Sequence, residues 1–83
     1  MDAGLRRLRS ELDVMRTKVR TLTPRERQVL THVVAGRLNK QIAGELGTVE
    51  KTIKVHRSRM MEKLGIRTVA DLVRMAEKLS LSK

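Results

Sequence analysis

Residues Asn39 to Gly65, NKQIAGELGTVEKTIKVHRSRMMEKLG, decide how the rest of the chain is read. Gly47 divides the stretch into a short segment and a longer one. In the short segment, Ile42, Ala43 and Leu46 fall on one side of a helix. In the longer one, projected at about 100° per residue, Val49, Ile53, Met60 and Leu64 share a face. Lys51, Lys54, Val55 and Ser58 point the opposite way. Gly47 supplies the turn and Gly65 ends the second helix. The pattern is helix, turn, helix, with a polar and basic outer face on the second helix.

The chain around it has 83 residues, enough for one small domain with a thin core. Lys and Arg number 19 against 9 acids, a net charge of +10, which attracts phosphates and steers association with them. An anionic membrane surface would also attract this charge, but no long apolar run or signal-like segment is present, and no membrane partner is expected. Phe, Tyr and Trp are absent. Readers of single-stranded DNA and RNA usually stack bases on such rings, so the partner that remains is duplex DNA. Without Cys there is no disulfide framework and no thiolate metal site. His32 and His56 have no carboxylate at ligand spacing, so neither a metal nor a cofactor is expected. No nucleophile–base pattern or phosphate-cradling Gly loop suggests an enzyme. The chain reads as cytoplasmic.

Upstream, Leu5, Leu8, Leu12, Met15, Val19 and Leu22 recur at spacings of 3, 4, 3, 4 and 3, an a/d seam over nearly three heptads. This is a dimerising coiled coil or a signalling linker helix, or else an amphipathic helix folded onto its own domain. Thr23-Pro24-Arg25-Glu26 is a capping box with Pro at the first helical position. Val29, Leu30, Val33 and Val34 make the stripe of the helix it starts, and Gly36 closes it. Asn39 suits the N-cap of the short helix. Thr68-Val69-Ala70-Asp71 opens a last helix carrying Val69, Leu72, Val73, Ala76 and Leu79. No segment alternates at period two. The expected fold is all-α: a linker helix over 1–22, then a four-helix domain over 23–83 with its helix-turn-helix at about 39–58.

A helix lying in the major groove, which is about 12 Å wide, must keep one face on its own core and offer polar groups to base edges with the other. Lys54 can donate to guanine O6 and N7, Ser58 can donate or accept, and Val55 suits a thymine methyl. Val55 is also readable as a lone surface apolar residue. Lys40, Lys51, Arg57, Arg59, Lys63 and Arg67 are candidates for phosphate contact, which positions without reading sequence. Asn39, Thr48 and Thr52 lie near helix starts, where backbone N–H groups meet phosphates. His56, at the edge of the inner face, reads as a partly buried histidine, with phosphate contact as the alternative.

These residues closely resemble the LuxR-type helix-turn-helix, the output domain of FixJ/NarL-type response regulators. The resemblance runs from Leu22 to about Leu79. It rests on Leu22-Thr23-Pro24-Arg25-Glu26-Arg27-Gln28-Val29-Leu30, Gly36, Asn39-Lys40-Gln41-Ile42-Ala43, Thr52-Ile53-Lys54-Val55-His56 and Lys63-Leu64-Gly65. Ala70-Asp71-Leu72-Val73-Arg74-Met75-Ala76 is similar to FixJ in particular, and the Arg-rich helix before Leu22 to a receiver–output linker. The resemblance implies that the third domain helix enters the major groove. Base contacts would come from Lys54, Val55 and Ser58, and backbone contacts from around Lys40, Lys51 and Thr52. It also implies that the last helix, through Val69, Leu72, Val73, Met75 and Ala76, pairs two protomers on an inverted repeat. RNA polymerase and a receiver domain are the further partners it suggests. One departure stands out: Thr48-Val49 replaces the family's common Ile-Ser, so Thr48 is expected to cap the recognition helix one residue early. A receiver's phosphoacceptor Asp has no room here, which implies an output domain with its linker, or a short stand-alone regulator.

The expected function is sequence-specific regulation of transcription by a DNA-bound homodimer. A helical interaction module working through the Leu5–Leu22 seam would instead show no salt-sensitive DNA affinity. A sigma-factor-like promoter-recognition module would require binding to core polymerase.

Overall fold

The computed structural model describes residues 3–79, with side chains from residue 9 onward. Five helices follow one another without a strand among the described residues: α1 (Ala3–Arg20), α2 (Pro24–Val34), α3 (Asn39–Leu46), α4 (Glu50–Leu64) and α5 (Val69–Leu79).

Local chemistry sets several of the boundaries. At the start of α2 the Glu26 N–H donates to Thr23 Oγ1 at 3.1 Å, and the Thr23 N–H donates to Glu26 Oε1 at 2.9 Å. The capping box is complete, with Pro24 at a position whose N–H would have no partner. The α5 start repeats half of it: the Asp71 N–H donates to Thr68 Oγ1 at 3.1 Å. Gly47 and Gly65 end α3 and α4 in the left-handed region, each with φ 68°. An L side chain there costs about 1–2 kcal/mol, which is why glycine occupies both turns.

The two helices of the central motif start differently from the sequence expectation. Asn39 is the first residue of α3, not its cap; Leu38 holds the N-cap position in extended conformation. Leu38 has no side-chain acceptor, so only the reverse half of a box forms, its N–H donating to Gln41 Oε1 at 2.8 Å. Helix α4 starts at Glu50 with Val49 as N-cap and no side-chain cap bond. Thr48 therefore does not cap it. The Thr48 N–H instead closes α3 by donating to the Ala43 carbonyl at 2.9 Å. Val49 also leaves the inner face assigned to it and is 63% exposed. Its φ of −102° and ψ of 155° are extended, so a helical projection does not apply to it.

Val29, Ile42, Ile53, Met60, Leu64 and Leu72 are the largest fully buried side chains. They come from α2, α3, α4 and α5: α4 packs against α2 and α3, and α5 packs against α2. Burial of each contributes roughly 1.5–3 kcal/mol, and with no aromatic ring to add more, every one counts. Helix α1 folds onto the same domain: Val19 and Leu22 join the core and Met15 packs against it. The lower part of the a/d seam is thus buried within its own chain, against α4 and α5. Leu12 is half-buried. The side chains of Leu5 and Leu8 lie outside the described residues.

The last helix also faces inward more than expected. Leu72, Met75 and Ala76 are core residues, so the pairing face assigned to α5 reduces to exposed Val69 and half-buried Val73. A side chain already closed within one protomer offers no area to a second.

Glu26 is the one buried charged residue among the described residues, 2% exposed. Its Oε1 takes a second bond, from Lys63 Nζ of α4 at 2.7 Å, so the cap of α2 is also a tie to α4. Burial alone pushes its pKa up. The Lys63 hydrogen bond, the Thr23 backbone N–H and the Lys63 charge outweigh that and hold the carboxyl below the ordinary glutamate range.

Candidate nucleic-acid interface

Helices α3 and α4 are held together through Ile42, Ala43 and Ile53, all buried. Gly47 makes the sharp turn between them, and Arg25 of α2 steadies it by donating from Nη1 to the Leu46 carbonyl at 3.5 Å. This seats α4 with Ile53, Met60 and Leu64 on the core and its other side in solvent.

The solvent side carries the residues singled out in the sequence. Lys51, Lys54, Val55, Ser58 and Arg59 are all exposed. Val55, at 42%, is an apolar side chain in the middle of a charged face. Lys54 Nζ lies 3.9 Å from Glu50 Oε1, an exposed i,i+4 pair too loose to hold the ammonium against a competing acceptor. Helix α4 carries five Lys or Arg against two Glu.

The flanking positions divide. Lys40 is exposed at the start of α3, while Thr48, Thr52 and His56 are half-buried beside the motif. Asn39 is half-buried too, and its Oδ1 accepts from Arg57 Nη1 at 3.0 Å. This bond joins the first turn of α3 to the middle of α4. It was invisible in the sequence because its partners stand 18 residues apart. Arg57 thus links the two helices through one of its N–H groups, and Lys63 is engaged by Glu26. Arg67, from the loop before α5, lines the same shallow groove as Asn39, Lys54, Arg57 and Ser58. The structure therefore brings Lys54 and Ser58 together with a loop cation three residues past the end of α4.

No group of three or more His, Cys, Asp or Glu among the described residues could hold a metal ion. Among the same residues, no helix is long and apolar enough to cross a membrane.

Comparison with known proteins agrees with this geometry. Residues 20–76 match the family described as bacterial regulatory proteins, luxR family. Over 62 residues the chain is 48% identical to nodulation protein W of Bradyrhizobium diazoefficiens, covering 75% of this chain and 27% of that protein. It is 47% identical over 62 residues to the transcriptional regulatory protein FixJ of Rhizobium meliloti, covering 75% and 30% respectively. Among solved structures, the response regulator StyR superposes with a TM-score of 0.86 at 47% identity, covering 93% of this chain and 39% of StyR. Full-length FixJ from B. japonicum superposes at 0.84 with 32% identity, covering 95% and 39%. The chain thus spans about a third or less of the sequence relatives, and under half of the solved ones. With the family matched across its helix-turn-helix and the fold shared throughout, the chain belongs to the luxR family of bacterial regulatory proteins.

Proposed function

We propose that this chain is the DNA-reading output domain of a two-component response regulator, acting in the cytoplasm as a homodimer on an inverted repeat. The observation that carries the proposal is the outer face of α4: Lys51, Lys54, Val55, Ser58 and Arg59 exposed together on a helix whose other face is locked into the core. Lys54, Val55 and Ser58 read base edges in the major groove. Lys40, Lys51, Thr52 and Arg59 hold phosphates, with Asn39, Thr48 and His56 at the edges of the same footprint. Asn39 contributes mainly by fixing α3 against α4 through Arg57.

Two protomers place one α4 each in half-sites about one helical turn apart. Val69 and Val73 are the α5 residues available to pair them. Response regulators among the relatives support a receiver domain elsewhere in the whole protein. RNA polymerase would be the downstream partner of such a regulator. The test is anisotropy binding to a selected duplex and a scrambled one. Lys54→Ala lowers the ratio of specific to scrambled affinity by about 1–3 kcal/mol, and Lys40→Ala weakens both duplexes alike. An unchanged ratio in Lys54→Ala would remove Lys54 from base readout.

A further inference from the structure

A second basic surface lies away from α4. Arg16 and Arg20 of α1 and Arg27 of α2 line a cleft with Val19, Leu30 and Leu79, of which Val19 and Leu30 are buried and Leu79 is half-buried. All three arginines are exposed. Only Arg16 has an acidic partner among the described residues, Asp13 at 3.3 Å, and that pair is open to water. Like charges gathered on one small surface repel, so the cluster lowers stability unless a counter-charge visits it. The cleft draws no lining residue from α3 or α4. An occupant there would leave the recognition face free.

We propose that this cleft is a docking surface for an acidic amphipathic segment of a partner protein. Guanidinium groups pair with carboxylates in a planar, two-pronged geometry. Half-buried Leu79 and the arginine stems offer apolar contact for one side chain of the segment. A nucleic-acid backbone would find charge here but no use for Leu79, which is why a protein segment fits better. The inference stands independently of which DNA sequence α4 reads.

The test titrates the isotope-labelled 83-residue chain with a short helical peptide carrying Glu on one face and Leu on the other. A control peptide has Lys for each Glu, and a second control has Ala for each Leu. The acidic amphipathic peptide shifts the amides of Arg16, Arg20, Arg27, Thr31 and Leu79, while both controls bind more weakly. The double variant Arg20→Glu/Arg27→Glu lowers affinity for that peptide by about tenfold, two exposed charge pairs being lost and reversed. Its circular dichroism and its duplex-DNA affinity stay close to those of the parent. Shifts confined to α4, equal binding of the Lys peptide, or an equal loss of duplex affinity in the double variant would each overturn the proposal. The last outcome would make the cleft a nucleic-acid surface.

Discussion

Replacing Glu26 by alanine should cost more than any other single polar change in the domain, and the cost can be worked from its two bonds. Oε1 accepts from the Thr23 N–H at 2.9 Å and from Lys63 Nζ at 2.7 Å, and the side chain is 3% exposed. Loss of half a capping box is worth about 1 kcal/mol. Loss of a charge-assisted bond at a buried carboxylate is worth about 1.5–3 kcal/mol. Lys63 is 37% exposed and can turn to water, so no stranded ammonium adds to the sum. The expected destabilisation is about 2.5–4 kcal/mol. For a domain of this size that lowers Tm by about 10–30 °C. Thermal and urea melts followed by circular dichroism at neutral pH measure it. The sign of the pH dependence follows from the depressed pKa. A carboxyl held below its unfolded value stabilises the fold fully above about pH 4.3, and loses that contribution as pH falls through the folded value. The gap between parent and Glu26→Ala should therefore narrow in acid. A variant within about 0.5 kcal/mol of the parent at neutral pH would refute the reasoning, because a surface substitution costs no more than that.

Three further outcomes follow from the same geometry. Val49→Ser puts a capping side chain at an exposed N-cap that has none, and should raise stability by about 0.5–2 kcal/mol, read as a higher urea midpoint. Gly47→Ala meets nothing within 4 Å, so its cost is backbone strain alone at φ +68°, about 1–2 kcal/mol by the same melt. Met60→Ala empties a fully buried site in the C-terminal half of α4 and should cost about 2–5 kcal/mol, read as a lower urea midpoint.

Much of this molecule is legible in its sequence. The Thr23–Glu26 box, the glycine turns and the outer face of α4 depend on residues within one or two turns of each other, and local chemistry is what a sequence displays. Val49 was misplaced because helical projection assumes a helix up to its first residue, and an N-cap is not helical. The family resemblance gives Leu72, Met75 and Ala76 to a partner, whereas they are buried within their own protomer; an apolar stripe shows that a face is buried, not what buries it. Met15 and Val19 pose the same ambiguity, resolved here by packing within the chain. The ties from Glu26 to Lys63 and from Asn39 to Arg57 span 37 and 18 residues, and only the tertiary fold brings those atoms together.

The central claim is that the exposed face of α4 reads duplex DNA. Selection of bound duplexes from a random pool, followed by salt titration on the selected and scrambled sequences, addresses it most directly. An enriched sequence with two related halves, bound far more tightly than the scrambled one, is expected. Its affinity should fall steeply with salt as phosphate contacts release their counterions. A pool that shows no enrichment, with selected and scrambled duplexes bound alike, would contradict it.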